Sequence, residues 1–343
     1  MHTVHLLGAL MVGLLSAGLL QAQSRTLDIY WIDVEGGAAT LIVSPTGESL
    51  LVDTGFPGRG DIQQQRIVAA AKAAGISRID TLVTTHYHFD HVGGLAALAK
   101  LIPIGRYIDH GESVETGERE SQMFANYKDV VTGKRTIVHP GEKVKLGGVD
   151  DITVVSAGGK VIGKPINDGS TNALCDGAAR KPEDLTENAQ SVGFLLSFGK
   201  FTFLDVGDLT WDREIQLACP VNKVGEVSLF QATHHGFSNG QSGAPALIWA
   251  LKPQVVVVNN GARKGFSNEG YETIAKIPGL EAMWQGHTGT RNDADHNTAE
   301  DRIANLAGGD ADEGYWIKAS VSRDGTFTIT NGRNGHSESY EAR

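Results

Sequence analysis

The alternation of apolar and polar positions divides most of the chain into short strands and helices. Leu27 to Val34 (LDIYWIDV) alternates with period two, as a half-buried strand does. Gly36-Gly37 predicts a turn into a second strand, Ala39 to Val43, and Leu50-Leu51-Val52 a third that ends at Asp53-Thr54-Gly55. Ile62 to Ala74 reads as an amphipathic helix stopped by Gly75. Thr81 to Thr85 predicts a buried strand running into a His-rich loop, and Gly94 to Leu101 a helix that ends before Pro103. Strands follow near Ile104–Ile108, Thr136–Val138 and Ile152–Val155, with a helix over Arg119 to Val131. Residues 157–190 are rich in Gly, Asn, Asp and Pro and read as a long surface loop. Beyond it the pattern predicts strands at Val192–Ser197, Phe201–Leu204 and Val227–Ala232, and helices at Trp211–Leu217 and Ala246–Leu251. Val255–Val258 is β-branched throughout, which fits a strand buried on both faces. A helix over Thr298–Leu306 and a hairpin of Trp316–Val321 with Thr326–Thr330 complete the series. With no fixed repeat and no Pro/Ser-rich linker, this mixture predicts one layered α/β domain with helices packed outside sheets.

The first 23 residues change this picture at one end. They carry no charged side chain, and Leu6 to Leu20 is mostly apolar before Gln21-Ala22-Gln23. An apolar run of about 15 residues is short for a bilayer span and suits the core of a secretory leader. The expected organisation is a signal peptide over 1–23 and a mature domain over 24–343, without a later membrane span; a retained N-terminal anchor is the alternative. Export would place the protein in the periplasm or outside the cell. There Cys175 and Cys219 could form one disulfide; two separate buried thiols are the other reading. Of the 343 residues, 41% are hydrophobic, enough for a sizeable core. A net charge of -10 argues against stable binding of long nucleic acids, although not against a local basic groove.

Candidate chemistry concentrates in His86-Tyr87-His88-Phe89-Asp90-His91, between a predicted strand and Val92-Gly93-Gly94. In an extended segment His86 and His88 point to one side, and Asp90 and His91 fall at the following helix start. Two imidazoles on one side and an Asp-His pair on the other can hold two divalent ions close together. Neutral imidazole suits zinc, while a carboxylate also accommodates manganese or iron.

This HxHxDH motif followed by Gly-Gly resembles the metallo-β-lactamase superfamily. Asp33-Val34-Glu35-Gly36-Gly37-Ala38, Leu51-Val52-Asp53-Thr54-Gly55, Phe203-Leu204-Asp205-Val206-Gly207-Asp208 and Ala232-Thr233-His234-His235-Gly236 are similar to further segments of that family. Together they most resemble the soluble hydrolase domain of bacterial DNA-uptake channel proteins. The resemblance implies an αβ/βα sandwich with metals at one edge. By position it implies His86 and His88 on a first metal, Asp90, His91 and His234 on a second, and Asp208 as the bridge. Asp208 is preferred to Asp205, and His234 to His235, which could instead contact substrate or orient its neighbour. The family's third His on the first metal has no counterpart in Val154-Val155-Ser156-Ala157-Gly158-Gly159. His110 is the best substitute and His139 a weaker one, so the site could hold one or two ions. Asp53 could orient a ligand imidazole, or simply form its turn. His287 could line the site or be structural.

The implied activity is that of an exported hydrolase using hydroxide held on zinc, or on Mn2+ or Fe2+. A bound divalent ion lowers the pKa of its water from about 15.7 to about 7, with Asp90 and Asp208 as the groups that orient it and take its proton. A phosphodiester is the substrate the resemblance favours. A small ester, lactone, thioester or β-lactam is the alternative, and a non-catalytic metal-binding module with a lapsed site is a third reading. A flavin-linked di-iron redox role is disfavoured because no flavodoxin-like region follows. The sequence does not define the oligomeric state.

Overall fold

A computed structural model describes residues 26–166, 169–237, 240–306 and 313–343. The expected leader lies outside these residues. Two sheets face each other. The first has the order β17-β16-β15-β1-β2-β3-β4-β5-β6. Its strands are β1 (Leu27–Trp31), β2 (Thr40–Val43), β3 (Ser49–Val52), β4 (Ile79–Val83), β5 (Ile104–Asp109), β6 (Arg135–Ile137), β15 (Ile317–Val321), β16 (Thr326–Asn331) and β17 (Ser337–Glu341). The second has the order β14-β13-β12-β11-β10-β9-β7-β8. It comprises β7 (Asp151–Ala157), β8 (Lys160–Val161), β9 (Gly193–Phe198), β10 (Phe201–Asp205), β11 (Leu229–Gln231), β12 (Val255–Val258), β13 (Ala282–His287) and β14 (Ile303–Asn305).

Each sheet joins a parallel half to an antiparallel half. β3 to β6 run parallel, as do β10 to β14. The C-terminal β15 pairs antiparallel with β1, so the two ends of the domain close one sheet. Between the sheets lies a core that includes Ile29, Phe194, Phe203, Val257, Trp284 and Phe327. Trp31 meets the Phe203 ring edge-on at 5.7 Å. Burial of each such ring contributes about 1.5–3 kcal/mol. The outer face of the first sheet packs on α1 (Ile62–Ala73), α3 (Leu95–Leu101) and α4 (Glu118–Val131). The outer face of the second packs on α5 (Trp211–Ala218), α7 (Pro245–Leu251) and α8 (Asn268–Ala275). This is the four-layer αβ/βα sandwich expected from the resemblance.

Most elements fall where the hydrophobic pattern puts them, and all four residues of β12 are buried. The helix expected over Thr298–Leu306 is instead a single turn, Glu300–Arg302, followed by β14. Ile303 and Asn305 pair with β13, and all three β14 residues are buried against it. A three-residue edge strand is too short to show a period. β13, α8 and β17 carry no strong periodic signal and were not expected. In the loop over 157–190, Cys175 and Cys219 form a disulfide, which ties that loop to the end of α5. No helix among the described residues is long and apolar enough to cross a membrane.

Candidate metal centre

The site lies where loops leave the C-terminal ends of parallel strands, the usual place for chemistry in open α/β sheets. β3 ends at Asp53, which adopts a left-handed backbone (φ 59°). Its carboxylate accepts from Thr85 N at 2.8 Å, from Thr85 Oγ1 at 2.7 Å and from His91 Nδ1 at 2.7 Å. One carboxylate thus fixes both ends of the His-rich loop after β4. Val192 N donates to Thr85 O and joins this loop to the second sheet. Gly37 allows close approach on the other side: a Cβ there would lie 2.5 Å from Asp90 O. Gly94 does the same beneath the loop, where a Cβ would lie 2.2 Å from Thr54 O.

β10 delivers Asp208 after Gly207. α6 (Thr233–Phe237), a short segment after β11, delivers the His pair. His234 (φ 53°), His235 (φ 57°) and Gly236 (φ 95°) are successive left-handed residues. For a non-Gly residue that backbone costs about 1–2 kcal/mol. Here it turns both imidazoles towards Asp208. His234 Nε2 lies 3.3 Å and His235 Nε2 3.5 Å from Asp208 Oδ2.

Asp90, His91, Asp208 and His235 each offer a ligand atom, and these atoms lie within 4.8 Å of one another. His91 Nε2 is 3.2 Å from Asp208 Oδ2, 3.3 Å from Asp90 Oδ2 and 3.2 Å from His235 Nε2. His235 Nε2 is 3.1 Å from Asp90 Oδ2. Beside this group His86 Nε2 faces His88 Nδ1 at 3.0 Å and Asp208 Oδ2 at 4.0 Å. His88 Nε2 lies 3.6 Å from Glu115 Oε1.

The donor chemistry fits divalent ions. The Asp53 carboxylate accepts a hydrogen bond from His91 Nδ1, which turns Nε2 toward Asp208 and Asp90. Thr85 Oγ1, which donates to Asp53, accepts from His86 Nδ1 at 3.1 Å. Ser242 Oγ, which donates to Leu209 O, lies 3.4 Å from His234 Nδ1. Imidazole Nε2 atoms and carboxylate oxygens thus converge on one point, a donor set that suits a divalent cation. Burial opposes a charge on His91, yet Asp208, Asp90 and Asp53 outweigh it and raise its pKa well above 6.5. Burial pushes His86 far down, with His91 and His88 adding to the effect. Burial also lowers His234 to about 4, despite Asp208. For Asp208, burial is outweighed by His234, His91 and His235, which hold its carboxyl well below the usual range.

The structure places the other expected residues as follows. His235, not His234, belongs to the mutually close group; His234 reaches it only through Asp208. The reason is the left-handed turn, which presents both rings and gives the deeper position to the second. His110, the expected substitute, is engaged elsewhere. Its Nε2 bonds Glu187 Oε1 at 2.7 Å, and both side chains are buried. Glu187 also accepts from Tyr87 N and Val114 N, so it supports the loop between His86 and His88. The backbone of His139 sits in an exposed turn, bonded to Glu142. His287 is buried with Nε2 on Asp33 Oδ1 at 2.6 Å, a structural pair joined by Arg66. Asp205 ends β10 and accepts from Gly207 N; burial raises its carboxyl to about 7.

Sequence reasoning missed Lys264, whose Nζ contacts Asp90 Oδ2. It lies in Gly-Ala-Arg-Lys-Gly, after the buried strand β12. A loop leaving the C-terminal end of a parallel strand is the signal that could have marked it. Glu115, Glu187 and Ser242 were missed too, because each acts through a side-chain contact that no local motif marks.

The molecule is thus a four-layer α/β sandwich with a candidate metal site, a His/Asp cluster, at its loop edge. Residues 32–179 match the model of the metallo-beta-lactamase superfamily. Among curated proteins it is 34% identical over 67 residues to the atrochrysone carboxyl ACP thioesterase of Aspergillus fumigatus, covering 20% of each chain. It is 23% identical over 258 residues to Recombination protein 2 of Haemophilus influenzae, covering 75% of this chain and 27% of that one. The chain thus spans only about a fifth to a quarter of the length of these relatives. Among solved structures, CmlA, a diiron beta-hydroxylase from Streptomyces venezuelae, overlaps with a TM-score of 0.43 at 16% identity, over 76% of this chain and 52% of that one.

Proposed function

We infer that the protein is an exported metal-dependent hydrolase acting on a phosphodiester. The carrying observation is the buried group Asp90, His91, Asp208 and His235, with His86 and His88 alongside. Zinc fits this imidazole-rich set, and manganese or iron also fits its carboxylates. Asp90, His91, His235 and Asp208 would hold one ion; His86 and His88, sharing Asp208, would hold a second. When bound, such ions lower the pKa of water and polarise the scissile phosphoryl group.

The chain's own residues do the rest. Asp53 and Thr85 lock the tautomers of His91 and His86. Asp90 and Asp208 orient the attacking water and receive its proton. The Lys264 ammonium, beside Asp90, offers a positive partner to an anionic substrate. That charge favours an anionic phosphodiester over neutral esters. The Cys175–Cys219 disulfide supports an oxidising compartment, periplasmic or extracellular.

Thioester hydrolysis is the second reading, favoured by the local match to the fungal thioesterase. The test is turnover of bis(p-nitrophenyl) phosphate, an acyl thioester, p-nitrophenyl acetate and a β-lactam by metal-loaded protein. The expected result is diester cleavage, abolished by a chelator and restored by zinc or manganese. Turnover of the thioester alone would overturn the phosphodiester reading.

A further inference from the structure

The chain has 11 Phe residues, and nine of them are buried in the cores. The two that are only half-buried are Phe56 and Phe89, and both flank the metal centre. Phe56 follows the Asp53 turn, and Phe89 stands between His88 and Asp90. Their rings meet edge-on at 6.4 Å. A cation lies against each ring. Lys264 Nζ is 5.4 Å from the Phe56 centroid, and its side chain is 36% exposed. Arg119 Cζ, from the exposed first turn of α4, is 4.3 Å from the Phe89 centroid. Phe89 and Arg119 also line a groove of about 610 Å³ with Pro57, Met123 and Asn126.

Apolar rings left half in water gain by taking a flat partner, and cations stacked on rings strengthen such a surface. Two cations thus lie beside the candidate site, each against a ring. We propose that Phe56, Phe89, Arg119 and Lys264 form a specificity subsite for a phosphodiester whose retained ester group carries a flat aromatic or heterocyclic ring. The ring stacks against Phe89 and Phe56, with Arg119 at its outer edge. Lys264 turns from Asp90 to a non-bridging phosphoryl oxygen. This subsite deepens the phosphodiester reading and rests on it.

Equilibrium binding to the metal-loaded protein decides the subsite. Thymidine 5′-monophosphate is compared with methyl phosphate, which carries the phosphate without the ring. The expected preference for the ring-bearing ligand is about tenfold or more, the scale of one aromatic stack. Phe89→Leu and Arg119→Met should each cut that ratio to within about twofold while metal content stays full, and Lys264→Met should weaken both ligands. Equal binding of the two ligands by the wild-type protein overturns the proposal, as does an undiminished preference in both ring-side variants. Turnover is read separately, with p-nitrophenyl thymidine 5′-phosphate and methyl p-nitrophenyl phosphate. Failure to cleave either diester sinks the phosphodiester reading, while the binding ratio still decides the subsite.

Discussion

The two proposed ion positions share Asp208 but are built unequally. Around His91 the chain supplies two imidazoles and two carboxylates, with His91 held by Asp53 underneath. Around His86 it supplies His86, His88 and the shared Asp208, and the His that could have completed this set is bound to Glu187 instead. The first position draws donors from both sheets; the second depends on one loop and its bridge. The lesson is that a metal motif read along the chain gives ligand types, whereas completeness depends on distant elements. The expected outcome is one strong position and one weak one.

Asp208→Ala should produce the largest effect, because it removes the atom common to both positions. Activity should fall by more than about a hundredfold, beyond the 10–100-fold typical of residues that only orient ligands. Metal analysis should show loss at both positions. A variant that retains both ions would remove Asp208 from the bridge. Asp53→Asn should come next, lowering activity or metal affinity about 10–100-fold by releasing the His91 tautomer. Because Asp53 supports His91 directly, the loss should fall mainly on the stronger position.

His110→Ala sharpens the comparison from the weak side. It should leave metal content unchanged yet lower stability in chemical denaturation, by on the order of 3 kcal/mol, because Glu187 keeps its burial without its partner. Loss of metal would instead make His110 a ligand. Glu214→Gln should have the smallest effect on the site. Glu214 accepts from Ala244 N, close to the loop that carries Ser242, the partner of His234. Burial raises its carboxyl to about 7. Between about pH 4.5 and 7 the folded chain keeps a proton that the unfolded chain has released. Stability therefore falls as pH rises through that window, by on the order of 3 kcal/mol from this group. The variant should lose that part of the slope in melting curves taken from pH 4.5 to 7. Asp205, raised for the same reason, should keep a remainder.

The His-rich loop was legible because its spacing and ligand types are local. So were the long helices and the continuous β-branched run of β12. The choice between His234 and His235 was not legible, because it depends on three left-handed residues that residue type does not dictate. The fate of His110 depends on Glu187, 77 residues away. Lys264 meets Asp90 across 174 residues. β13 and β14 were obscured because short segments of mixed polarity show no period.

The central claim, two ion positions of unequal completeness around Asp208, is tested most directly by calorimetric titration of zinc into metal-stripped protein, in the wild type and in His235→Ala and His88→Ala. The account expects two binding steps separated by at least about tenfold in affinity, with His235→Ala losing the tighter step and His88→Ala the weaker. Two steps of equal affinity, or one step removed by either substitution, would contradict it.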